Sequence, residues 1–591
     1  MDNQLTSARF TTLMPLRLSV LLIALLLPLL IMLGPKTTQA RSATWSLNPT
    51  DGNWNTTGNW IPHTVPNGGA DIATFGASNI TDISFSAPIR VNSIFFNPDA
   101  SAFSVSLNPS EHLTLSGDGI INNAGMVQNF ATNGGEFSGG EGGLISFTNG
   151  ATAGNTTRFT NGGSIGGGTA AGTTKFEETS TAGNAVFINN PGGIIGGGIV
   201  FLNFANAGTA TITCRGGPEP GGGFAVFEGS SSAASATFFL EGASGTFTGS
   251  GHLMFENSAT AGDAVFTLSG GLASNSIGGQ IIFSDSSTAG SATFIINGSE
   301  ISGAEGGKVE FFEGTSAGTA NVIVNGGAAA GGVCFLGNDS DSSMARFQIF
   351  GNGELLLQVN RITLGSIEGD GVFEFTCNDV FVGANNLSTT FSGSIGSFGA
   401  FHKVGAGTLT LSGANTYSMG TTIEAGALII ANGSGSGTGS GAVSVNAGTL
   451  GGSGIIAGAT TIGTGSGPGA FLVPAAATTK QSTLTIQSAL TFNSDATYTC
   501  TFKAKKNKAR TDQVIANGVT INGATLNLIG QTQGSLKRGL RLTVISNTSA
   551  NPINGTFSNL PDGGIVTING NNFQASYEGG DGNDLTLTVV P

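Results

Sequence analysis

Seven phrases between residues 152 and 320 decide the fold. They read Thr152-Ala-Gly-Asn, Thr181-Ala-Gly-Asn-Ala, Asn206-Ala-Gly-Thr-Ala, Ser232-Ala-Ala-Ser-Ala, Thr260-Ala-Gly-Asp-Ala, Thr288-Ala-Gly-Ser-Ala and Ser316-Ala-Gly-Thr-Ala. The glycine slot falls at Gly154, Gly183, Gly208, Ala234, Gly262, Gly290 and Gly318, with Ala234 the one replacement, at spacings of 29, 25, 26, 28, 28 and 28 residues. A period of this size marks a solenoid, in which one supersecondary unit per repeat stacks on its neighbours to bury an apolar face it cannot bury alone. Solenoids are long surfaces before they are pockets, so the period bears on function as well.

Between the phrases lie short apolar runs such as Ala185-Val-Phe-Ile, Ala264-Val-Phe-Thr-Leu, Gln280-Ile-Ile-Phe and Val309-Glu-Phe-Phe. They have the β-branched and aromatic content of strands, and none has the length or the 3.6-residue period of a helix. Two or three such strands fill a repeat of 25–29 residues. The expected class is therefore all-β, a right-handed parallel β-helix with N- and C-terminal caps. Stacked coils place like residues over like: Phe inside, Asn and Thr in ladders at the turns, glycine where the turn needs positive φ. The expected divisions are a cap over 41–100, β-helix repeats over 101–400, a distinct repeat over 403–430, and a continued β-helix with a C-terminal β cap over 431–591. Trp45, Trp54 and Trp60 lie in the first of these and suit a cover for the open end; the competing reading is an aromatic platform for carbohydrate.

Arg9 and Arg17, then the apolar run from Leu18 to Leu33, then Thr38-Gln39-Ala40, follow the order of a secretory signal peptide over residues 1–40. No later stretch reaches membrane-spanning length, so no integral membrane segment is expected after cleavage. The first forty residues carry a net +2, and removing them takes the formal charge from −14 to −16. An acidic chain without an extended basic face is a poor partner for nucleic acid. Charged residues are 9% of the chain while hydrophobic ones hold 39%, the reverse of a disordered composition. Cys214, Cys334, Cys377 and Cys500 are far apart and lack metal spacing; they are either disulfide-linked in a pairing the sequence does not give, or single buried thiols on strands.

Residues 403–430 read Lys-Val-Gly-Ala-Gly-Thr-Leu-Thr-Leu-Ser-Gly-Ala-Asn-Thr-Tyr-Ser-Met-Gly-Thr-Thr-Ile-Glu-Ala-Gly-Ala-Leu-Ile-Ile. This resembles the autotransporter-associated β-strand repeat, the passenger-associated transport repeat of secreted bacterial β-helices. Gly405, Gly407, Thr408, Leu409, Leu411, Gly413, Asn415, Tyr417, Gly420, Thr421, Gly426 and Leu428 carry the resemblance, and Met419 stands where a glycine is common. Asn446-Ala-Gly-Thr-Leu-Gly-Gly-Ser-Gly-Ile-Ile-Ala-Gly and the ending Tyr577-Glu-Gly-Gly-Asp-Gly-Asn-Asp-Leu-Thr-Leu are similar to tails that accompany it. The resemblance implies an exported, secreted or cell-surface β-helical protein of adhesive or structural kind, and no particular chemistry. The family's C-terminal outer-membrane barrel is not found before Pro591, so another export step, or a stay in the periplasm, is expected.

Catalysis on such a fold needs clustered carboxylates, or a carboxylate with Arg or Lys, on one face. The candidates are Glu177-Glu178, Asp339 with Asp341, and Glu368 with Asp370 and Glu374; a solvated turn explains the Asp339 and Asp341 pair as well. No catalytic residue and no cofactor other than calcium are called. Gly579-Gly-Asp-Gly-Asn-Asp584 fits the first six places of a calcium-binding β-roll nonapeptide, with the Asp584 carboxylate as a ligand, and Thr586 then departs from it. A tight turn into the last strand explains the same residues. Lys503, Lys505, Lys506, Lys508 and Arg510 form a basic cluster, read as a solvated hairpin tip or as a contact for an acidic glycan. The expected function is an exported structural or adhesin-like protein that binds cell-surface glycans or matrix polymers by an extended lateral face. The alternative is a polysaccharide lyase or hydrolase on the same fold.

Overall fold

The computed structural model describes residues 40–136, 140–246, 249–337, 340–376, 379–476 and 478–591. Among them the only helical element is a single 3-10 turn, Thr57–Asn59. Everything else regular is strand, and almost all pairing is parallel between one coil and the next. The expected signal peptide over residues 1–40 lies, apart from Ala40, outside the described residues.

Each coil from about residue 144 to 350 has the same parts. A four-residue strand such as His252–Phe255 belongs to a first sheet, and a second such as Val265–Leu268 to a second sheet. In both, alternate side chains point inward. The first sheet has 16 strands from Ala43–Trp45 to Ser394–Ser397, and only its Trp60–Ile61 edge is antiparallel. Because the ladders are in register, phenylalanine stacks on phenylalanine. Phe147, Phe176, Phe201, Phe227, Phe255, Phe283 and Phe311 form one column with ring centroids 4.5–5.0 Å apart and planes within 16°. A second column on the other sheet includes Phe238, Phe266 and Phe294, 4.8 and 4.9 Å apart. The columns meet edge to face, as at Phe255 and Phe266, 6.0 Å apart and at 86°. Such pairs add roughly 0.5–1.5 kcal/mol each to what burial contributes.

The corner between the two strands explains the repeated phrase. Thr152, Thr181, Asn206, Ser232, Thr260, Thr288, Ser316 and Asp341 pair successively as a ladder one residue wide. In each, the side-chain oxygen accepts the N–H two residues on, as Gly262 donates to Thr260 Oγ1 at 3.1 Å. That turn sets the third residue at positive φ, 59° at Gly262, which is why glycine recurs there. Ala234 keeps the same conformation at φ 49°, against the steric preference of an L-residue. The alanines beside it, Ala233 and Ala236, are fully buried.

The coil closes at a second glycine, just before each first-sheet strand. Gly251 donates its N–H to Glu241 O at 2.8 Å, and Gly279 donates to Ser269 O at the same distance. Here two backbones touch: a Cβ on Gly251 would stand 1.9 Å from Cys214 O.

The interior is not wholly apolar. Thr132 Oγ1 donates to Asn161 Oδ1 at 2.7 Å, Asn161 Nδ2 to Asn189 Oδ1 at 2.8 Å, and Asn189 Nδ2 to Phe224 O at 2.7 Å. This buried ladder satisfies its own polar atoms, as burial requires. At the N-terminal end Trp45, Trp54 and Trp60 are buried around Phe75, and their Nε1 groups donate to Ile80 O, Pro66 O and Trp54 O. The exposed-platform reading of these rings is thereby corrected, because they face the core.

From Arg361–Gly369 onward the corner widens. One ladder runs through Asp379–Val382, Ala400–Lys403, Thr421–Ile423 and Val443–Val445, and another through Thr389–Phe391, Thr408–Leu411 and Ala427–Ile430. Within it Asn415 ties three coils, accepting from Ile395 N–H at 2.9 Å and donating to Gly437 O at 2.7 Å. At the C-terminal end Asp584–Val590 turns antiparallel on Arg541–Asn547, and Asn571–Gly579 and Ile565–Ile568 follow.

Lys403 occupies an inward place in a column otherwise made of Val382, Ile423 and Val445. It is 1% exposed, and its Nζ donates to Val404 O, Gly405 O and Ala425 O at 2.6, 2.9 and 3.3 Å. Burial pushes the ammonium down to about 8.

Three outcomes are expected. In urea unfolding, Gly251→Ala should destabilise by about 3 kcal/mol through its clash with Cys214 O, and Ala234→Gly should stabilise by about 1 kcal/mol. An unchanged midpoint for Gly251→Ala would contradict the backbone contact. Between pH 8 and 10.5 the unfolded chain keeps the Lys403 proton that the folded chain has released, so stability rises with pH across that window. The rise should be on the order of 3 kcal/mol and absent from Lys403→Met. A wild-type midpoint that falls relative to the variant over the same range would sink this account.

Candidate functional site

The outward side chains of the two sheets differ in kind. On the first sheet they are mixed, with charges at Lys175, Lys308, Glu310, Glu354 and Glu374, and no Lys, Arg, Asp or Glu on the four strands from Gly198–Phe201 to Gln280–Phe283. Lys175 pairs with Glu177 at 2.7 Å and Lys308 with Glu310 at 2.7 Å, while Phe224 stacks on His252 at 5.9 Å. Burial, then the neighbouring Glu228 and Asp285, raise the Glu256 carboxyl; burial and Glu374 raise that of Glu354.

The second sheet carries no charge over six successive strands. Its outward places are Val186 and Ile188, Thr211 and Thr213, Thr237 and Phe239, Val265 and Thr267, Thr293 and Ile295, Asn321 and Ile323. Each pair stacks in register on the next. At a strand spacing of about 4.8 Å this rank is roughly 24 Å tall. Arg158 stands at one end, and Arg346, paired with Glu368, at the other. Ladders of β-branched side chains on in-register strands make a flat, stiff surface. Covering it desolvates no ion.

The carboxylates singled out from the sequence are separate structural pieces. Glu177 is paired with Lys175, and Glu178 accepts from Asn149 N–H. Asp341 accepts from Ser343 N–H and Oγ at 3.1 and 2.8 Å as the last corner residue, and Asp339 lies outside the described residues. Asp370 accepts from Gly351 N–H at 2.9 Å. Glu368 and Arg346 border a hollow of about 600 Å³ that is otherwise lined mainly by Thr389, Thr390, Thr408 and Thr410. That hollow holds one carboxylate, where glycoside hydrolysis of the usual kind uses two. His402 stacks on Phe381 at 4.3 Å and bridges Asp379 and Glu424 at 3.1 and 3.0 Å.

Asp584 begins the last strand opposite Gly579, and its Oδ1 accepts from Asn547 N–H at 2.9 Å. Its carboxylate lies against Gly580 inside the turn. Among the described residues no group of three His, Cys, Asp or Glu side chains is placed to hold a metal ion. Cys214, Cys334 and Cys500 are buried free thiols on strands, and Cys377 lies outside the described residues. Burial pushes Cys214 and Cys500 up to about 12, so both stay protonated and inert.

The basic cluster is a formed hairpin. Ala496–Lys505 pairs antiparallel with Lys508–Thr511, placing Lys503 across from Arg510 and Lys505 across from Lys508. Sequence reasoning missed what completes it: Lys480 and Arg541, distant in the chain, border the same hollow of about 1110 Å³.

Among the described residues no helix is long and apolar enough to cross a membrane. Residues 401–430 match the family described as Passenger-associated-transport-repeat. No curated protein matches the chain. Among solved structures, the crystal structure of the Haemophilus influenzae Hap adhesin matches at 11% identity with a TM-score of 0.21, over 90% of this chain and 65% of that one. At that score no site can be aligned between the two, and what carries weight is the repeat at 401–430 within a parallel β-solenoid.

Proposed function

We propose that this is an exported, extracellular or cell-surface protein of adhesin-like, structural kind, which contacts glycans or matrix polymers through the uncharged face of its second sheet. The observation that carries the reading is that face: twelve outward side chains on six strands without a charge, a longer uncharged rank than on the first sheet, where Lys175 and the Lys308–Glu310 pair bound four such strands. A stiff ladder of threonine hydroxyls and apolar methyls suits an extended neutral polymer, held by many weak contacts rather than by one pocket. The transport repeat at 401–430 supports the extracellular setting. Fold alone also admits a polysaccharide-degrading enzyme, because function lives in sites grafted on folds. The single acid beside Arg346 in the hollow favours binding over turnover.

The test is a binding screen against bacterial, plant and host polysaccharides and matrix polymers, with released sugar ends measured in the same wells. Thr213→Lys together with Thr267→Lys puts two cations in the middle of the rank without touching the core. Binding should drop at least tenfold in this variant. Full retention of binding, or sugar ends released by the wild type, would overturn the proposal.

A further inference from the structure

We infer that the hollow at the Lys503–Arg510 hairpin is a binding site for an acidic polysaccharide, a polymer carrying repeated carboxylate or sulfate groups. This site does not depend on the reading of the lateral face, and its ligand is of opposite character.

The chain is acidic overall, yet nearly half of its cations fall in one segment. Of 21 lysines and arginines, nine fall between residues 480 and 541, a segment with only two carboxylates, Asp495 and Asp512. Both of those are consumed by backbone. Asp495 accepts from Thr464, Gly465 and Gly467 N–H at 2.7–3.1 Å, and Asp512 from Ser482 and Thr501 N–H at 2.9 and 2.7 Å. The hollow of about 1110 Å³ is bordered by six cations, Lys480, Lys503, Lys505, Lys508, Arg510 and Arg541, and by no carboxylate. Among the described residues none of the six takes part in an ion pair. Nothing described in the fold supplies their counter-charge.

The arrangement is also ordered. Lys503 and Lys505 alternate outward on one strand, and Arg510 and Lys508 sit directly across on the next. On the other side Gln531 and Gln533 are in register with Lys503 and Lys505. The result is a lattice of four cations and two amides, with repeats of about 6.6 Å along the strands and about 5 Å across them.

A solvated tip would be loose, and this one is held. Its strand pairs with Thr525–Gln533 along nine residues, and Ala504 on the inner side is buried. At the turn Lys506 O accepts from Lys537 N–H at 2.8 Å. Lys503 Nζ is tethered to Thr479 O at 3.1 Å.

A hollow lined by regularly spaced cations with interleaved amides matches a linear polymer that offers anionic groups at intervals and hydroxyls between them. Among the described residues no aromatic ring borders the hollow, so they supply no stacking platform of the kind on which single-stranded nucleic acids depend. These features favour an acidic glycan over an oligonucleotide.

The test uses the chain from Arg41 to Pro591, which contains every described strand. Polygalacturonate and dextran sulfate are the carboxylated and sulfated probes, with neutral dextran and a single-stranded oligonucleotide as the other arms. One or both acidic polymers should bind, and binding should weaken steeply as salt rises from about 50 to 200 mM. Replacing Lys503, Lys505, Lys508 and Arg510 together by Gln should weaken binding at least tenfold and flatten the salt dependence. Arg90→Gln with Arg215→Gln, which removes charge elsewhere on the body, should leave it unchanged. The proposal is overturned if the fourfold variant binds as the wild type does, or if the distant pair loses as much. Equal binding of neutral dextran, or tighter binding of the oligonucleotide than of both acidic polymers, would overturn it as well.

Discussion

Every coil in this molecule must close on itself within the height of one strand, about 4.8 Å, because another coil lies immediately above it. That constraint falls on the backbone first. Where the chain returns from the second sheet to the first, it passes Cys214 O or its equivalent with no room for a Cβ, and Gly251 and its counterparts fill the place. The corner hydrogen bond from Gly262 N–H to Thr260 Oγ1 solves the same problem at the opposite end of the coil. With both bends fixed, the strands between them have one register, and the phenylalanine columns follow from it. Side-chain packing supplies the stability here, and the two bends supply the geometry that lets it form.

The bends are what made the fold legible. The Thr-Ala-Gly phrase records the corner, its period records the coil, and the scarcity of charge records an interior that recurs along the chain. The identity of the corner residues as Thr, Ser, Asn or Asp has its cause in one hydrogen bond, which the spacing alone did not state. Ala234 stands out in the sequence as a replacement and in the structure as an alanine held in a glycine conformation.

The surfaces were less legible, for a geometric reason. Whether a strand residue faces outward depends on alternation, and whether outward residues form one face depends on register between coils of unequal length. Thr213 and Thr267 are 54 positions apart in the chain and two strands apart in space. Lys480 and Arg541 join the hairpin by the same route, so the basic cluster stands alone in the sequence without them. Lys403 opens the 403–430 repeat in the sequence, and only its place between Val382 and Ile423 reveals it as a cation inside an apolar column. Asp584 and Asp341, one singled out as a calcium ligand and the other as a catalytic candidate, each accept from a neighbouring N–H group, a partner that the sequence does not name.

The direction of the ladder bonds has a mechanical consequence. Strands run across the long axis, so the hydrogen bonds between coils lie along it, and tension applied to the two ends loads one coil boundary at a time. A coil of 28 residues, such as the one from Phe255 to Phe283, occupies about 4.8 Å of axis and extends to about 95 Å when released. Each peeled coil therefore lengthens the molecule some twentyfold locally, while the coils behind it remain stacked. Pulled from its ends, this chain yields in steps, as a reel pays out line.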